Sequence, residues 1–565
     1  MNTHRITLLA GFLAPLTLLA PLTSAADTQR AASGMVVAEH WLASEVGRDV
    51  LAAGGNAVDA AVATGFALAV THPAAGNIGG GGFMVIRFPD GSSTAIDFRE
   101  TAPAAAHPQM WLDEATGDYS SRTHHYSHKA VGVPGTVAGF DKAHRLYGSA
   151  HWHELVSPAT HLAATGFTLS ENLAASLSHF VERFAHYNAT VAQYSQGGTP
   201  YAAGDTLRQP DLARTLHHIQ TARRDGFYTG ETARLIVEEM ERGGGLIALE
   251  DLAQYQARER QPIHGTYRGY EVLSMPPPSS GGVAIVTMLN ILEAYDLTRM
   301  GHNSATYIHH LAEVMRRAFR DRAQWLADVD LVDVPIHRLT SKRHAAELRR
   351  DIDPDHASVS AATDLSMTDE SPETTHYSVV DADGMAVAVT YTLEAGYGSG
   401  IVVPGGGFLL NNEMGDFNAA PGLTNETGLI GTTPNLARPG QRMLSSMSPT
   451  ILSRGGELVA VLGSPGGRTI INTVLQLILN LVDFEMTIDD AVSAPRMHHQ
   501  WLPDRIRLEA NRIDDEIVET LEQLGHAVHI RGRQGSAHSI GIDARTGQRI
   551  GAADPRSRDA GARGH

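Results

Sequence analysis

Glu373-Thr374-Thr375-His376-Tyr377-Ser378-Val379-Val380, followed by the turn Asp381–Gly384 and the run Ala386–Thr392, is the stretch on which the fold turns. β-branched and aromatic residues on both sides of an Asp- and Gly-containing turn read as a hairpin. The preceding segment, Asp351–Glu373, is polar and acidic and contains Pro354 and Pro372, which reads as a loop or linker. Thr374 therefore opens a strand directly after a linker. If the bond Glu373–Thr374 were cut, Thr374 would carry both a hydroxyl and a free α-amino group. That amine could act as general base for its own hydroxyl, as an N-terminal threonine nucleophile requires. An α-amino group titrates near pH 8, so a good part of it is neutral at working pH. Spacing alone favours the plainer reading, in which Thr374 is only a β-former opening a strand.

Downstream, Pro449–Ser453 and Glu457–Leu462 form a second hairpin turning at Gly455-Gly456. It runs into Gly463-Ser464-Pro465-Gly466-Gly467 and a helix over Thr469–Val482. Backbone N–H groups at a helix start are unpaired and carry the positive end of the dipole, so Gly466 and Gly467 are candidates for an oxyanion hole. A tight strand-to-helix turn explains them equally well. Upstream, Gly47–Val70 reads as a helix packed on several sides. The glycines Gly79 to Gly82 mark close backbone approach and fit no dinucleotide-binding register. The hairpin Phe83–Phe88, Pro89-Asp90-Gly91 and Thr94–Arg99 delivers Asp97, Arg99 and Glu100 to its end. The region from His151 to Arg260 is mostly helical. Tyr307–Leu326 reads as an amphipathic helix with its arginines on the wet face.

Composition removes several classes. The 565 residues carry 44 basic and 62 acidic side chains, a formal charge of −18, which argues against a nucleic-acid partner. With no cysteine, disulfides, thiolate nucleophiles and Cys-ligated zinc are excluded. The three lysines, Lys129, Lys142 and Lys342, lie in no P-loop or Ser–Lys context. A serine-hydrolase elbow fails at Ser464, where Leu462 stands two residues earlier. The zinc-protease pattern fails at His153-Glu154, where Ser157 replaces the second histidine. Paired histidines such as His124-His125, His217-His218 and His309-His310 read as surface or hydrogen-bonded structural residues, so neither a metal nor a cofactor is expected. Ile6–Leu22 is apolar, follows Arg5 and precedes Thr23-Ser24-Ala25-Ala26, the order of a secretory signal over residues 1–26. Pro15, Pro21 and the short apolar run disfavour an uncleaved anchor. The mature chain is expected to be exported, to periplasm or medium, without a stable membrane anchor.

At this point a resemblance carries weight. Thr374–Asp381, Gly466-Gly467 and Ser445-Ser446-Met447-Ser448-Pro449-Thr450 resemble the γ-glutamyltranspeptidase family. So do Asp97-Phe98-Arg99-Glu100, Asn411-Asn412-Glu413 and Ala494–Gln500, over nearly the whole mature chain. The resemblance implies an α+β fold, the four-layer αββα sandwich of N-terminal-nucleophile hydrolases. It implies a precursor that cuts itself between Glu373 and Thr374 into a large subunit, 27–373, and a small catalytic subunit, 374–565, which stay associated. Thr374 would be the nucleophile, Thr392 the threonine assisting it, and Gly466 and Gly467 the oxyanion donors. Arg99 would clamp the α-carboxylate of a γ-glutamyl donor such as glutathione, helped by Ser445 and Ser446. Glu394, Glu413 and Asp416 would surround the donor ammonium. Acceptors would be water, amino acids or dipeptides.

Two rivals stand beside this reading. A glutaryl or cephalosporin acylase on the same fold would favour a donor lacking the ammonium, against which the acidic trio speaks. A catalytically silent exported binding protein is opposed by the joint presence of Thr374, Thr392, Arg99 and the glycine pair. Family members with a lid carry a tyrosine where this chain has Thr427, so strong competition from hydrolysis is expected.

Overall fold

A computed structural model describes residues 26–360, 374–423 and 431–565. The expectations placed on residues 1–25, on Glu373 and on Thr427 lie outside them. Two seven-stranded antiparallel sheets stack face to face. The first runs Gly561–Gly564, Met35–Ala38, Thr375–Val380, Ala386–Thr392, Gly81–Arg87, Ser93–Phe98, Arg258–Arg260. The second runs Asp27–Ala31, Arg549–Ala553, Ser539–Ile542, Glu457–Leu462, Thr450–Arg454, Tyr270–Ser274, Ile263–Tyr267. Each sheet mixes strands from before and after Thr374.

The central hairpin is buried on both faces, and its alternation sorts residues into two cores. Tyr377, Val379, Val387, Val389 and Tyr391 face helices including Ala57–Thr71, while Val380, Ala386 and Ala388 face the second sheet. On the outer side of that sheet lie Gly281–Leu292, Ala305–Trp325 and Thr469–Val482. This is the expected αββα sandwich. Because side chains alternate with period two, Thr374 and Thr392 belong to the inter-sheet set at one end of the hairpin. Thr375 pairs with Tyr391, so extending the register by one residue sets Thr374 opposite Thr392.

Two expectations are corrected. The single helix over Gly47–Val70 is two, Trp41–Ala52 and Ala57–Thr71, divided at Gly54-Gly55, where Gly54 adopts φ 94° and Asn56 caps the second helix. Three of the four arginines of Ala305–Trp325 are not on a wet face: Arg316, Arg317 and Arg322 are buried, and only Arg320 is half-exposed. Glu313 accepts hydrogen bonds from Arg316 Nε at 3.2 Å and Arg317 Nη1 at 2.6 Å, and Ser280 Oγ accepts from Arg322 Nε at 2.8 Å.

The glycine run behaves as its composition implies. A Cβ on Gly80 would stand 2.1 Å from the Thr392 carbonyl oxygen, a backbone atom that cannot swing aside. Gly80→Ala should lower stability by about 1–3 kcal/mol through overpacking and displace the strand end that carries Thr392. Denaturant titration together with activity of the purified variant would check this; unchanged values for both would refute it.

Candidate active site

One cavity is lined by Thr374, Thr392, Arg99, Glu394, Glu413, Asp416, Ser445, Ser446 and Gly467. These are nine of the ten residues singled out for catalysis or binding. The tenth, Gly466, instead lines the adjoining pocket, so the glycine pair straddles two cavities.

Contacts among the described residues fix most of this wall. The Thr392 carbonyl accepts from Asn77 Nδ2 at 2.9 Å, and its Oγ1 accepts the Glu394 N–H at 3.0 Å. Glu394 has φ 80°, the left-handed region that costs a non-glycine residue energy and recurs at functional sites. Its carboxylate accepts from Asn412 Nδ2 and lies 3.7 Å from His125 Nδ1. Asn411 is fully used: its amide donates to Gly79 and Gly132 carbonyls and accepts from Gly132 and Glu413 N–H groups. That clamp fixes Glu413 beside the glycine run.

Arg99 follows the strand Ser93–Phe98 and is buried. Its Nη1 lies 2.5 Å from Glu413 and 3.6 Å from Glu100, its Nη2 donates to Asp416, and its Nε donates to the Met443 carbonyl at 3.3 Å. One guanidinium thus serves three carboxylates, with Glu394 on the same cavity as a fourth. The consequence is lopsided. Against the penalty of burial, Glu413, Asp416 and Glu100 hold Arg99 firmly charged. Burial pushes Glu100 up to about 8 despite Arg99, and pushes Glu413 well above the usual carboxylate range, with Glu100, Asp416 and Glu394 adding to the effect. His125 rises although burial opposes it, because Glu394 bonds and attracts its cation.

Glu100 was visible in the Asp97–Glu100 motif, but no local pattern indicated that it would join the carboxylate crowd. Its folded value exceeds its unfolded one, so its contribution to stability is complete below about pH 4.5 and is lost as pH rises to about 8. The melting temperature of the mature protein should therefore fall by a few degrees across that window, and Glu100→Gln should flatten the fall. Parallel pH profiles for the two proteins would show this argument wrong.

The serines complete the wall. Ser445 Oγ accepts the Met447 N–H at 3.2 Å and Ser446 Oγ accepts Arg322 Nη2 at 3.1 Å. Arg322 is the positioning residue that sequence reading missed, because its partner lies 124 positions away. Gly466 and Gly467 have φ 129° and 55°, and among the described residues neither amide is engaged by a backbone carbonyl. His124 answers to the structural reading of the histidine pairs: it stacks on Trp111 and bonds Tyr119 and the Met414 carbonyl.

A threonine opening the central strand of a stacked-sheet sandwich, with a cavity at that strand end, defines an N-terminal-nucleophile hydrolase fold. The family model described as gamma-glutamyltranspeptidase matches residues 43–564, and the chain belongs to that family. The glutathione hydrolase proenzyme of Escherichia coli (strain K12) is 48% identical over 533 residues, covering 94% of this chain and 91% of that one. A cephalosporin acylase from Bacillus halodurans superposes with a TM-score of 0.84 at 25% identity, covering 98% and 99%. The γ-glutamyltranspeptidase of Helicobacter pylori gives 0.56 at 45% identity, with 91% of its chain covering 56% of this one.

Proposed function

We propose that this chain is an exported precursor that cuts its own Glu373–Thr374 bond and then acts as a γ-glutamyltransferase and glutathione hydrolase. The observation that carries the reading is Thr374, set opposite Thr392 by the register, at the mouth of a cavity holding one buried arginine and an excess of carboxylates. A γ-glutamyl head is a zwitterion. Its carboxylate fits Arg99 with Ser445 and Ser446, and its ammonium fits Glu394, Glu413 and Asp416. Buried carboxylates that burial holds toward the neutral form gain a counter-charge when that ammonium enters.

The chemistry then follows. The Thr374 amine takes the hydroxyl proton while Oγ1 attacks the γ-carbonyl carbon, and Thr392 orients the hydroxyl. The oxyanion is met by N–H groups of the Gly466-Gly467 turn, with Gly467 on the cavity wall. Collapse expels the leaving amine, which takes up the proton, and leaves a γ-glutamyl ester on Thr374. Water or an acceptor amine then cleaves that ester.

Subunits 27–373 and 374–565 would remain together because both sheets interleave strands from each. The name proenzyme of the E. coli relative, and a structural neighbour whose chain spans only 56% of this one, fit a cut precursor. Among the described residues no helix is long and apolar enough to cross a membrane. The likeness to a cephalosporin acylase keeps a glutaryl acylase as the second reading, and the acid excess around Arg99 favours the first. Incubating purified protein with a γ-glutamyl anilide, with and without a dipeptide, is expected to release the aniline and to form a γ-glutamyl dipeptide. Hydrolysis of a glutaryl anilide alone would establish the acylase reading instead.

A further inference from the structure

The pocket on the far side of the glycine pair has no role in the reaction derived above. It measures about 340 Å³ and is walled by Arg468, Arg505, Arg507, Arg531 and Arg533, with Gly466 at its inner edge and, among the described residues, no Asp or Glu in its lining. In a chain of formal charge −18, five guanidiniums around one cavity concentrate positive charge against the trend of the whole surface. Arg468 is buried at the start of the helix Thr469–Val482, Arg505 is half-buried, and Arg531 and Arg533 are exposed, so the charge runs from the turn outward to solvent. Arg505 Nε is buried with no hydrogen-bond partner among the described residues. The field is felt next door: His529 is held below its usual range, by its partial burial first and then by Arg531, Arg505 and Arg507.

The outer wall is tied to the reaction centre. The Ser536 N–H donates to Ser464 Oγ at 3.0 Å, and a Cβ on Gly466 would lie 3.3 Å from Gly535 Cα. The loop carrying Arg531 and Arg533 therefore packs on the turn itself. Gly467 faces the donor cavity and Gly466 faces the arginines, one Cα step of about 3.8 Å apart.

We infer that this arginine pocket is the subsite for the carboxylate of the acceptor and of the leaving group. This rests on the γ-glutamyltransferase reading. An acceptor amine attacks the Thr374 ester carbonyl and loses a proton; the new amide bond forms, the ester C–O bond breaks, and Thr374 Oγ1 regains a proton. The leaving amine departs along the path by which an acceptor enters, so one subsite serves both. A dipeptide whose amine stands at that carbonyl carries its carboxylate roughly 7 Å away, two residues of extended chain. That reach exceeds the single Cα step between Gly467 on the donor cavity and Gly466 on the arginine pocket, and guanidiniums suit a carboxylate by geometry as well as charge.

The test compares glycylglycine with glycylglycinamide as acceptors for the mature two-subunit enzyme, with a γ-glutamyl anilide as donor. The wild type should prefer the free carboxylate by about tenfold in kcat/KM for acceptor, the equivalent of one charge-assisted contact. Raising salt should shrink the preference. Arg505→Gln with Arg533→Gln should reduce the ratio several-fold through acceptor KM, and Arg533→Lys should retain most of it. A ratio near one in the wild type, with the anilide still cleaved, would overturn the subsite and leave the γ-glutamyltransferase reading intact. No cleavage of the anilide at all would overturn the reading on which it rests. A wild-type preference that the double variant leaves unchanged would place carboxylate recognition elsewhere and reject these arginines.

Discussion

Thr374→Ala is expected to yield one uncut chain with γ-glutamyl hydrolysis lower by about ten-thousandfold or more. The wild type should separate, in proportion to 373 and 192 residues of a 60.5 kDa precursor, into fragments of about 40 and 21 kDa. Loss of the signal would reduce the larger to roughly 37 kDa. Two losses coincide in this variant. The hydroxyl that attacks the preceding carbonyl is gone, so the α-amine that should serve as base is never released. Thr374→Ser keeps a hydroxyl and should still cut, more slowly, since serine lacks the methyl group that restricts χ1. Glu373→Ala should cut as well, because the attack uses the carbonyl of residue 373 and not its side chain. Denaturing electrophoresis and a γ-glutamyl anilide assay on the three variants read all of this. Full activity in an uncut Thr374→Ala chain would end the nucleophile assignment.

How much of this was legible in sequence depended on how local the determining contacts are. The hairpin Thr375–Val380 with Ala386–Thr392 and the helix Thr469–Val482 follow from neighbouring residues, and the structure returns them with at most one residue of difference. Lining of one cavity by Arg99, Glu394, Glu413, Asp416 and the two serines could not come from periodicity, since those residues lie on separate segments. It came from family motifs. Charge placement was the weakest ground. A helix carrying Arg316, Arg317, Arg320 and Arg322 looks solvated by pattern, yet partners supplied by Glu313, Ser280 and Ser446 make burial of three of them tolerable. Glu100 and Gly466 illustrate the same limit. Their neighbours in the chain suggested the right locality, and only the packing shows the first beside Arg99 and the second facing another cavity.

Asp416→Ala should cost far more with γ-glutamyl donors than with glutaryl donors. Asp416 accepts from Arg99 Nη2 at the edge of the donor cavity, so the substitution has two effects that must be separated. It removes the acceptor from Arg99 Nη2 while Glu413 and the Met443 carbonyl keep their hold on the guanidinium, and it removes one counter-charge for a donor ammonium. The first effect touches both substrates, because a glutaryl group retains the carboxylate that Arg99 would hold. Only the γ-glutamyl group carries the ammonium, so the ratio between donors isolates the second. Breaking one partner from a buried pair typically costs about 3–5 kcal/mol, and Glu394 and Glu413 remain to compensate. A loss in kcat/KM near the lower end, on the order of a hundredfold, is therefore expected for the γ-glutamyl anilide. The glutaryl anilide should lose about tenfold or less, and Asp416→Asn should fall between wild type and alanine for the γ-glutamyl donor alone. Cleavage at Thr374 has to be verified in each variant, since failed maturation would depress both donors together. Equal losses in fully cleaved enzyme would mean that Asp416 only braces Arg99, and recognition of the ammonium would pass to Glu394 and Glu413.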